Sequence, residues 1–348
     1  MSDFTRDQLI KILHENVPEF SFSGEIDCLS GGNINVVWRA KGETNVIIKH
    51  APPHIAVNPD VPLSDFRIDF EARALMALNK GGQFSEITGE EIRPPELIAY
   101  DKERSLIIME DVGDFQQLNK LDIVNHSPEQ IGKRLGQFIG NLHRTTFHDE
   151  KFGSEFRNLD IQNVRNQLQY QSAHEYADVP DSTLQNKLQK KSSNLGHRLL
   201  KPGKCLIMGD LWPPSVLVNK SDDIRLIDWE FVHFGRPLQD IGHFAAHCRM
   251  QQHIAKSEAV YDFWTETWRE FWSAYRESTG SFYDDLFDTE ELNDMGVHIG
   301  TEILVRAFGP FKDGYVYEPF DKTHSVLDEA KEMSIDFILN PKPVRFGV

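Results

Sequence analysis

The stretch from Leu206 to Glu230, LIMGDLWPPSVLVNKSDDIRLIDWE, constrains the fold more than any other part of the chain. Two short apolar runs, Val216-Leu217-Val218 and Ile224 to Ile227, flank the polar turn Ser221-Asp222-Asp223, which is the pattern of a tight β-hairpin. Asp210 precedes the first run in a Gly-Asp step, and Asp228 and Glu230 follow the second. Pairing the two runs gathers these carboxylates near one edge. That grouping suits phosphoryl transfer, in which one carboxylate orients the attacking hydroxyl and others hold Mg²⁺. Taken alone, the stretch equally suits a turn closed by Asp210, with Asp228 and Glu230 solvated at a strand end.

Composition narrows the classes that remain. A chain of 348 residues exceeds one simple core and reads as two lobes. A formal net charge of −17 argues against nucleic acid or an anionic membrane as the main partner, since both demand a basic face. It is compatible with a cationic substrate. Cys28, Cys205 and Cys248 are odd in number and lack metal-ligand spacing, so a reduced, cytoplasmic protein is expected. The opening MSDFTRDQLIKILHENV reads as an amphipathic helix rather than a signal peptide. No apolar run reaches the roughly 18 residues needed to span a bilayer.

Along the chain, residues 4–16 place Leu9, Ile10 and Leu13 on one helical face, and strand signals follow at 26–29, 34–40 and 45–49. Ser30-Gly31-Gly32-Asn33 between the first two strands is either a hairpin turn or a loop whose backbone N–H groups lie over phosphates. Lys49 closes the apolar run Val46-Ile47-Ile48, so it either leaves the core or finds an anion. In the second case it reaches nucleotide phosphates and needs a carboxylate to hold it. Glu71 is the candidate, on a helix over 65–79 whose apolar stripe it flanks, while Asp69 and Arg73 form an i,i+4 surface pair. Residues 80–95 read as loop. The buried strand Ser105–Met109 ends in Glu110-Asp111-Val112-Gly113-Asp114, a connector with backbone groups suited to an adenine edge, and the lobe boundary is set there, at 1–111 and 112–348.

Ser127-Pro128-Glu129-Gln130 starts a helix whose Ile131, Leu135, Phe138, Ile139 and Leu142 are core. Residues 151–185 read as irregular helices and loops of substrate contact. Asp240 falls in a first helical turn, where it either complements the dipole or ties to the Asp210 loop. Tyr261, Trp264, Trp268, Phe271, Trp272 and Tyr275 form an aromatic helical face read as core. Arg306 near a helix end is read as solvated or as meeting an anionic group, and a last helix covers 325–339.

The Gly turn, lysine, helix glutamate, connector, Gly-Asp loop and Asp-x-Glu follow one another across about 200 residues in the order found in kinases. The chain resembles the aminoglycoside phosphotransferase and choline kinase-like superfamily, and within it methylthioribose kinases and the fungal 4-hydroxytryptamine kinase. The resemblance is carried by Leu29–Arg39, Ile47–His54, Leu106–Gly113, Met208–Trp212 and Ile227–Glu230. It implies an α+β, protein-kinase-like two-lobe fold, with a small β-sheet lobe bearing one helix and a larger, mainly helical lobe. It implies ATP bound by Gly31, Gly32, Asn33 and Lys49, with Glu71 holding the lysine and backbone groups of Glu110 and Val112 meeting adenine. It makes Asp210 the catalytic residue that orients the acceptor hydroxyl, and Asp228 and Glu230 ligands of Mg²⁺.

Three positions depart from the family pattern: Met208 replaces a usual His, Pro214 a usual Gly, and Ser215 a metal-binding Asn. Methylthioribose kinases also carry Ser there, so Ser215 joins the metal set. The expectation is an ATP- and Mg²⁺-dependent kinase of a small-molecule hydroxyl. A catalytically impaired pseudokinase and a structural interaction protein are the competing classes. Methylthioribose, a hydroxylated amine, choline and an aminoglycoside stay open as acceptors. Trp212 is placed either against a substrate ring or cation or in loop packing.

Overall fold

The computed structural model describes residues 4–29 and 34–341. Helix α1 (Arg6–Asn16) begins at Thr5, whose hydroxyl accepts the Gln8 N–H while the Gln8 side chain accepts the Thr5 N–H. Its Leu9, Ile12 and Leu13 bury against Trp38, Val46, Ile48, Leu106 and Ile108 of an antiparallel sheet. The sheet contains β1 (Phe22–Leu29), β2 (Val36–Gly42), β3 (Val46–His50), β4 (Leu97–Asp101) and β5 (Leu106–Glu110), in the order β1-β2-β3-β5-β4.

Central strand β3 is paired on both sides, Lys49 lying opposite Val37 and Ile107. Side chains alternate across a strand. Val46 and Ile48 therefore join the α1 cluster, while Ile47 and Lys49 face helix α2 (Arg67–Leu78) and the rest of the molecule. The strands expected at 26–29, 34–40 and 45–49 are present with ends shifted by a few residues. Strand β4 has no counterpart in the sequence reading. As a half-buried edge strand directly behind Pro94-Pro95, it shows no clean alternation. The expected loop at 80–95 also holds a short strand, Ile92–Arg93, which pairs in parallel with the hairpin. Two residues are too few to leave a periodic signal.

Four short strands frame the organising stretch: β6 (Cys205–Ile207), β7 (Val216–Val218), β8 (Ile224–Leu226) and β9 (His233–Gly235). Strands β7 and β8 form the expected hairpin, Val216 opposite Leu226, and β6 pairs with β9. Residues 208–215 and 227–232 are thereby presented together as two adjacent loops.

The longer helices that follow the sheet are α3 (Pro128–Thr145), α4 (Leu159–Arg165), α5 (Ser182–Leu199), α6 (Leu238–His253), α7 (Glu258–Thr279), α8 (Thr289–Ala307) and α9 (Ser325–Leu339). Ser127 caps α3 by accepting the Gln130 N–H. Between α4 and α5 the chain runs through a π-helical turn (Asn166–Gln171) and a short helix (Ala173–Ala177), matching the irregular helices expected there. One apolar cluster extends from Ile68 and Leu75 of α2 to Leu327 and Ile338 of α9. Trp264, Trp268, Phe271 and Tyr275 of α7 are buried in it, whereas Tyr261 is exposed. No helix among the described residues is long and apolar enough to cross a membrane.

Helices α3 and α7 approach until their backbones touch, through Gly132, Gly136 and Gly140 on one face of α3. A Cβ on Gly136 would lie 2.2 Å from the Phe271 carbonyl oxygen. Neither helix backbone can yield without shifting the aromatic core. Gly136→Ala is therefore expected to cost about 1–3 kcal/mol in urea unfolding, and an unchanged midpoint would show that the helices separate freely.

Candidate active site

The ammonium of Lys49 is 2% exposed and lies 2.8 Å from Glu71 Oε2 and 2.8 Å from Asp228 Oδ1. One cation thus joins the sheet, helix α2 and the loop after the hairpin. Burial draws its pKa down, but the carboxylates of Asp228, Glu71 and Glu230 outweigh that and hold it above the ordinary lysine range. Burial likewise raises the Glu71 carboxyl, against the pull of Lys49. The Trp229 N–H also reaches Glu71 Oε1 at 3.3 Å, fixing the loop to α2 a second time. Asp228 adopts the left-handed backbone conformation, φ 64°, rarely taken by a non-glycine residue and commonly found where a side chain is aimed at a ligand. Its side chain is 41% exposed and lines the cleft.

Glu230 is buried, with Oε2 accepting from Asn35 Nδ2 at 2.5 Å and lying 3.4 Å from Arg67 Nε. Burial pushes its carboxyl up to about 7, Lys49 and Arg67 offsetting only part of that and Glu71 adding to it. Arg67 also donates to the backbone carbonyls of Ile34 at 2.9 Å and Ser64 at 2.7 Å. It therefore ties the chain leaving residue 33 to α2 and to Glu230. Burial lowers the pKa of this guanidinium.

Asp210 stands on the other loop. Gly209 before it has φ +83°, and a Cβ there would lie 2.3 Å from the Phe231 carbonyl, so only glycine makes the turn. Asp240 accepts from the N–H groups of Met208 at 2.8 Å and Gly209 at 2.7 Å. Behind it His143 bonds both Asp240 and the Tyr275 hydroxyl. Asp240 is thus tied to the Asp210 loop, while the Met208 side chain packs in the core. The Asp210 carboxylate is paired with Arg165 and lies 3.2 Å from His243 Nε2. Burial would raise its pKa, yet Arg165, His243 and Arg306 together hold it at about 2.

Lys49, Asp210, Asp228 and Glu230 line one cleft. Its far wall carries Ile161, Leu168, Trp212, Phe311 and Arg306. Arg306 is buried rather than solvated: its Nε donates to Glu302 at 2.7 Å and its guanidinium lies 4.3 Å from the centre of the Trp212 ring. The cation over Trp212 is the protein's own. Ser215, fully buried, accepts the Ile227 N–H on its carbonyl at 3.0 Å and is not among the residues lining the cleft. Its hydroxyl has no hydrogen-bond partner among the described residues.

Glu110 and Val112 are not among the residues lining this cleft. The Glu110 N–H is taken by the Glu96 carbonyl at 2.9 Å, and its carboxylate binds Arg93 through two bonds. Gly31, Gly32 and Asn33 lie outside the described residues. Sequence reasoning missed Asn35, Arg67, Arg165 and His243. Only Arg67 left a signal, one helical turn ahead of Glu71 and on the same face.

The chain belongs to the phosphotransferase enzyme family, whose model matches residues 26–279. It is a phosphotransferase acting on small-molecule hydroxyl groups. It is 28% identical over 271 residues to the 4-hydroxytryptamine kinase of Psilocybe cubensis, covering 70% of this chain and 73% of that protein. It is 23% identical over 321 residues to the methylthioribose kinase of Geobacillus thermodenitrificans, covering 81% and 78%. Among solved structures, an amicoumacin kinase in complex with AMP-PNP and Ca²⁺ superposes with a TM-score of 0.55 at 12% identity, covering 99% of this chain and 96% of that one. A choline kinase from Streptococcus pneumoniae superposes with a TM-score of 0.52 at 12% identity, covering 96% and 99%. These likenesses establish the protein-kinase-like fold.

Two outcomes follow from the buried charges. Lys49→Met leaves Glu71 buried without its cation and is expected to destabilise the protein by about 3 kcal/mol. Adding Glu71→Gln should recover part of that in denaturant titrations, and no recovery would mean the two do not interact. For Glu230, a folded pKa of about 7 against an ordinary 4.5 means that the folded state binds the extra proton within that window. Stability therefore falls as pH rises through it. Glu230→Gln should remove this slope, raising Tm relative to wild type above pH 7 and little at pH 4.5.

Proposed function

We propose that the chain is an ATP- and Mg²⁺-dependent kinase that transfers the γ-phosphate to a hydroxyl of a small molecule held in this cleft. The observation that carries the reading is Lys49 paired at once with Glu71 and Asp228, with Asp210 on the same cleft. Lys49 meets the nucleotide phosphates, exchanging part of its contact with Asp228 for theirs while Glu71 keeps it in place. Gly31, Gly32 and Asn33 cover the phosphates, and the lobes divide after Asp111, with the backbone of Glu110 and Val112 toward adenine. The Glu110 carbonyl serves there, its N–H being engaged by Glu96.

The donor set fits Mg²⁺, which takes oxygen ligands. Asp228 opens to the cleft, the Ser215 hydroxyl is buried without a partner among the described residues, and Glu230 lines the same cleft. These three residues would hold the ion, with Glu230 already engaged by Asn35 and Arg67 at Oε2. Bound there, Mg²⁺ supplies neutralisation of the charge on the phosphate oxygens. Asp210 orients the acceptor hydroxyl and receives its proton late, consistent with a carboxylate held at about 2 by its cationic neighbours.

The acceptor is a methylthioribose-like sugar or a hydroxylated amine such as 4-hydroxytryptamine, supported by the names of the relatives and by the apolar and aromatic far wall. The three free cysteines fit a reducing cytoplasm. The test is transfer from Mg-ATP across methylthioribose, 4-hydroxytryptamine, choline, ethanolamine and an aminoglycoside, with product mass read directly. One acceptor should yield a phosphorylated product, and Asp210→Asn should lose about 10²–10⁴-fold in turnover with ATP affinity retained. ATP binding with no product from any acceptor would favour the impaired pseudokinase, for which Met208, Pro214 and Ser215 are the motive.

A further inference from the structure

Behind Asp210, helices α6 and α8 each carry a pair of potential ligands one turn apart: His243 and His247 on the first, His298 and Glu302 on the second. Residues four apart share a helix face, and these two faces meet. All four side chains are buried. His243 Nδ1 lies 3.3 Å from His298 Nε2 and 3.7 Å from Glu302 Oε2, and His247 Nε2 lies 3.2 Å from Glu302 Oε1. Ligand atoms of His243, His247 and Glu302 all fall within 4.8 Å of one another. Donors at 2.0–2.2 Å from a tetrahedral ion are separated by about 3.3–3.6 Å, the spacing that Zn²⁺ imposes on nitrogen and oxygen ligands.

The opposite nitrogen of His247 and of His298 is already hydrogen-bonded, while that of His243 makes no aligned hydrogen bond among the described residues. His243 Nε2 faces Asp210 at 3.2 Å, His247 Nδ1 the Tyr315 hydroxyl at 2.9 Å, and His298 Nδ1 the Tyr170 hydroxyl at 2.8 Å. Metal-ligating histidines are oriented in this way, by a hydrogen bond on the ring nitrogen away from the ion. His247 Nε2, despite its proximity to Glu302, makes no aligned hydrogen bond among the described residues. Glu302 Oε1 also accepts from Arg306 Nε at 2.7 Å.

We propose that His243, His247 and Glu302, with His298 beside His243 Nδ1 closing the fourth position, bind one transition-metal ion of the Zn²⁺ class, distinct from the Mg²⁺ site on Asp228. Four protein ligands leave no open position, so the ion is structural. It locks α6 to α8 and orients the His243 ring, whose Nε2 lies 3.2 Å from the Asp210 carboxylate. Imidazole donors favour Zn²⁺ over Mg²⁺, which prefers oxygen and water.

The test needs no activity assay. The full chain, produced with Zn²⁺ and purified without chelator, is expected to carry about one zinc per chain by elemental analysis. Co²⁺ in its place should give the visible absorption of a tetrahedral nitrogen–oxygen site. Stripping the ion should lower Tm by about 5 °C. His247→Gln and His298→Gln, verified as folded by circular dichroism, should each lose the metal and the cobalt bands. If either variant fails to fold, the cobalt spectrum of the wild-type chain decides. Folded wild-type protein that neither retains Zn²⁺ nor develops cobalt bands nor changes Tm would overturn the proposal, leaving the four residues as a hydrogen-bonded network. Zinc retained in full by both variants would equally overturn it, since the ion would lie elsewhere.

Discussion

A single buried ammonium governs the arrangement of this molecule. Lys49 projects from the middle of a sheet whose other face is sealed by α1, and it meets a carboxylate from α2 and another from the loop after the hairpin. An ammonium removed from water is tolerable only when paired. The sheet, α2 and the hairpin therefore have to come together in one geometry. Glu71 adds a second hold on that loop through the Trp229 N–H, so the position of Asp228 is set by α2 as much as by its own strand.

The other side of the cleft is organised by a carboxylate rather than a cation. Asp240 takes two consecutive backbone N–H groups of the Asp210 loop and is itself supported by His143 and Tyr275 from α3 and α7. Those two helices pack backbone to backbone across glycines, so little movement reaches the loop from below. Asp210 is held by this rigid base and oriented by Arg165 and His243. The two halves of the site are thus built by different means: buried ion pairing above, hydrogen bonds to backbone below.

The cleft also stores cost. Asp228 sits in a left-handed conformation, the carboxyls of Glu71 and Glu230 are raised by burial, and the Ser215 hydroxyl lacks a partner among the described residues. Each is unfavourable on its own, and such costs cluster at functional sites. The far wall is different in kind, since Arg306 is already neutralised by Glu302 and covered by Trp212. That wall presents apolar and aromatic surface with few uncommitted charges.

Much of this was legible in the chain. Local hydrogen bonding and hydrophobic period identified the hairpin, the Ser127 cap and most of the aromatic face of α7, because those signals lie within a few residues of one another. The order of lysine, glutamate, Gly-Asp and Asp-x-Glu along the sequence pointed to phosphoryl transfer before any geometry was known. Strands β4 and Ile92–Arg93 escaped because short edge segments carry no alternation. Arg165, His243 and Asn35 escaped for another reason: each acts on a residue between 33 and 195 positions away, and no local pattern records such a partner. The burial of Arg306, the tie from Asp240 to the loop and the convergence of His243, His247, His298 and Glu302 are of the same kind. The sequence by itself determined which chemical groups are present and which local elements bear them. Which charges end up paired, and at what pKa, was decided only when tertiary packing removed the water between them.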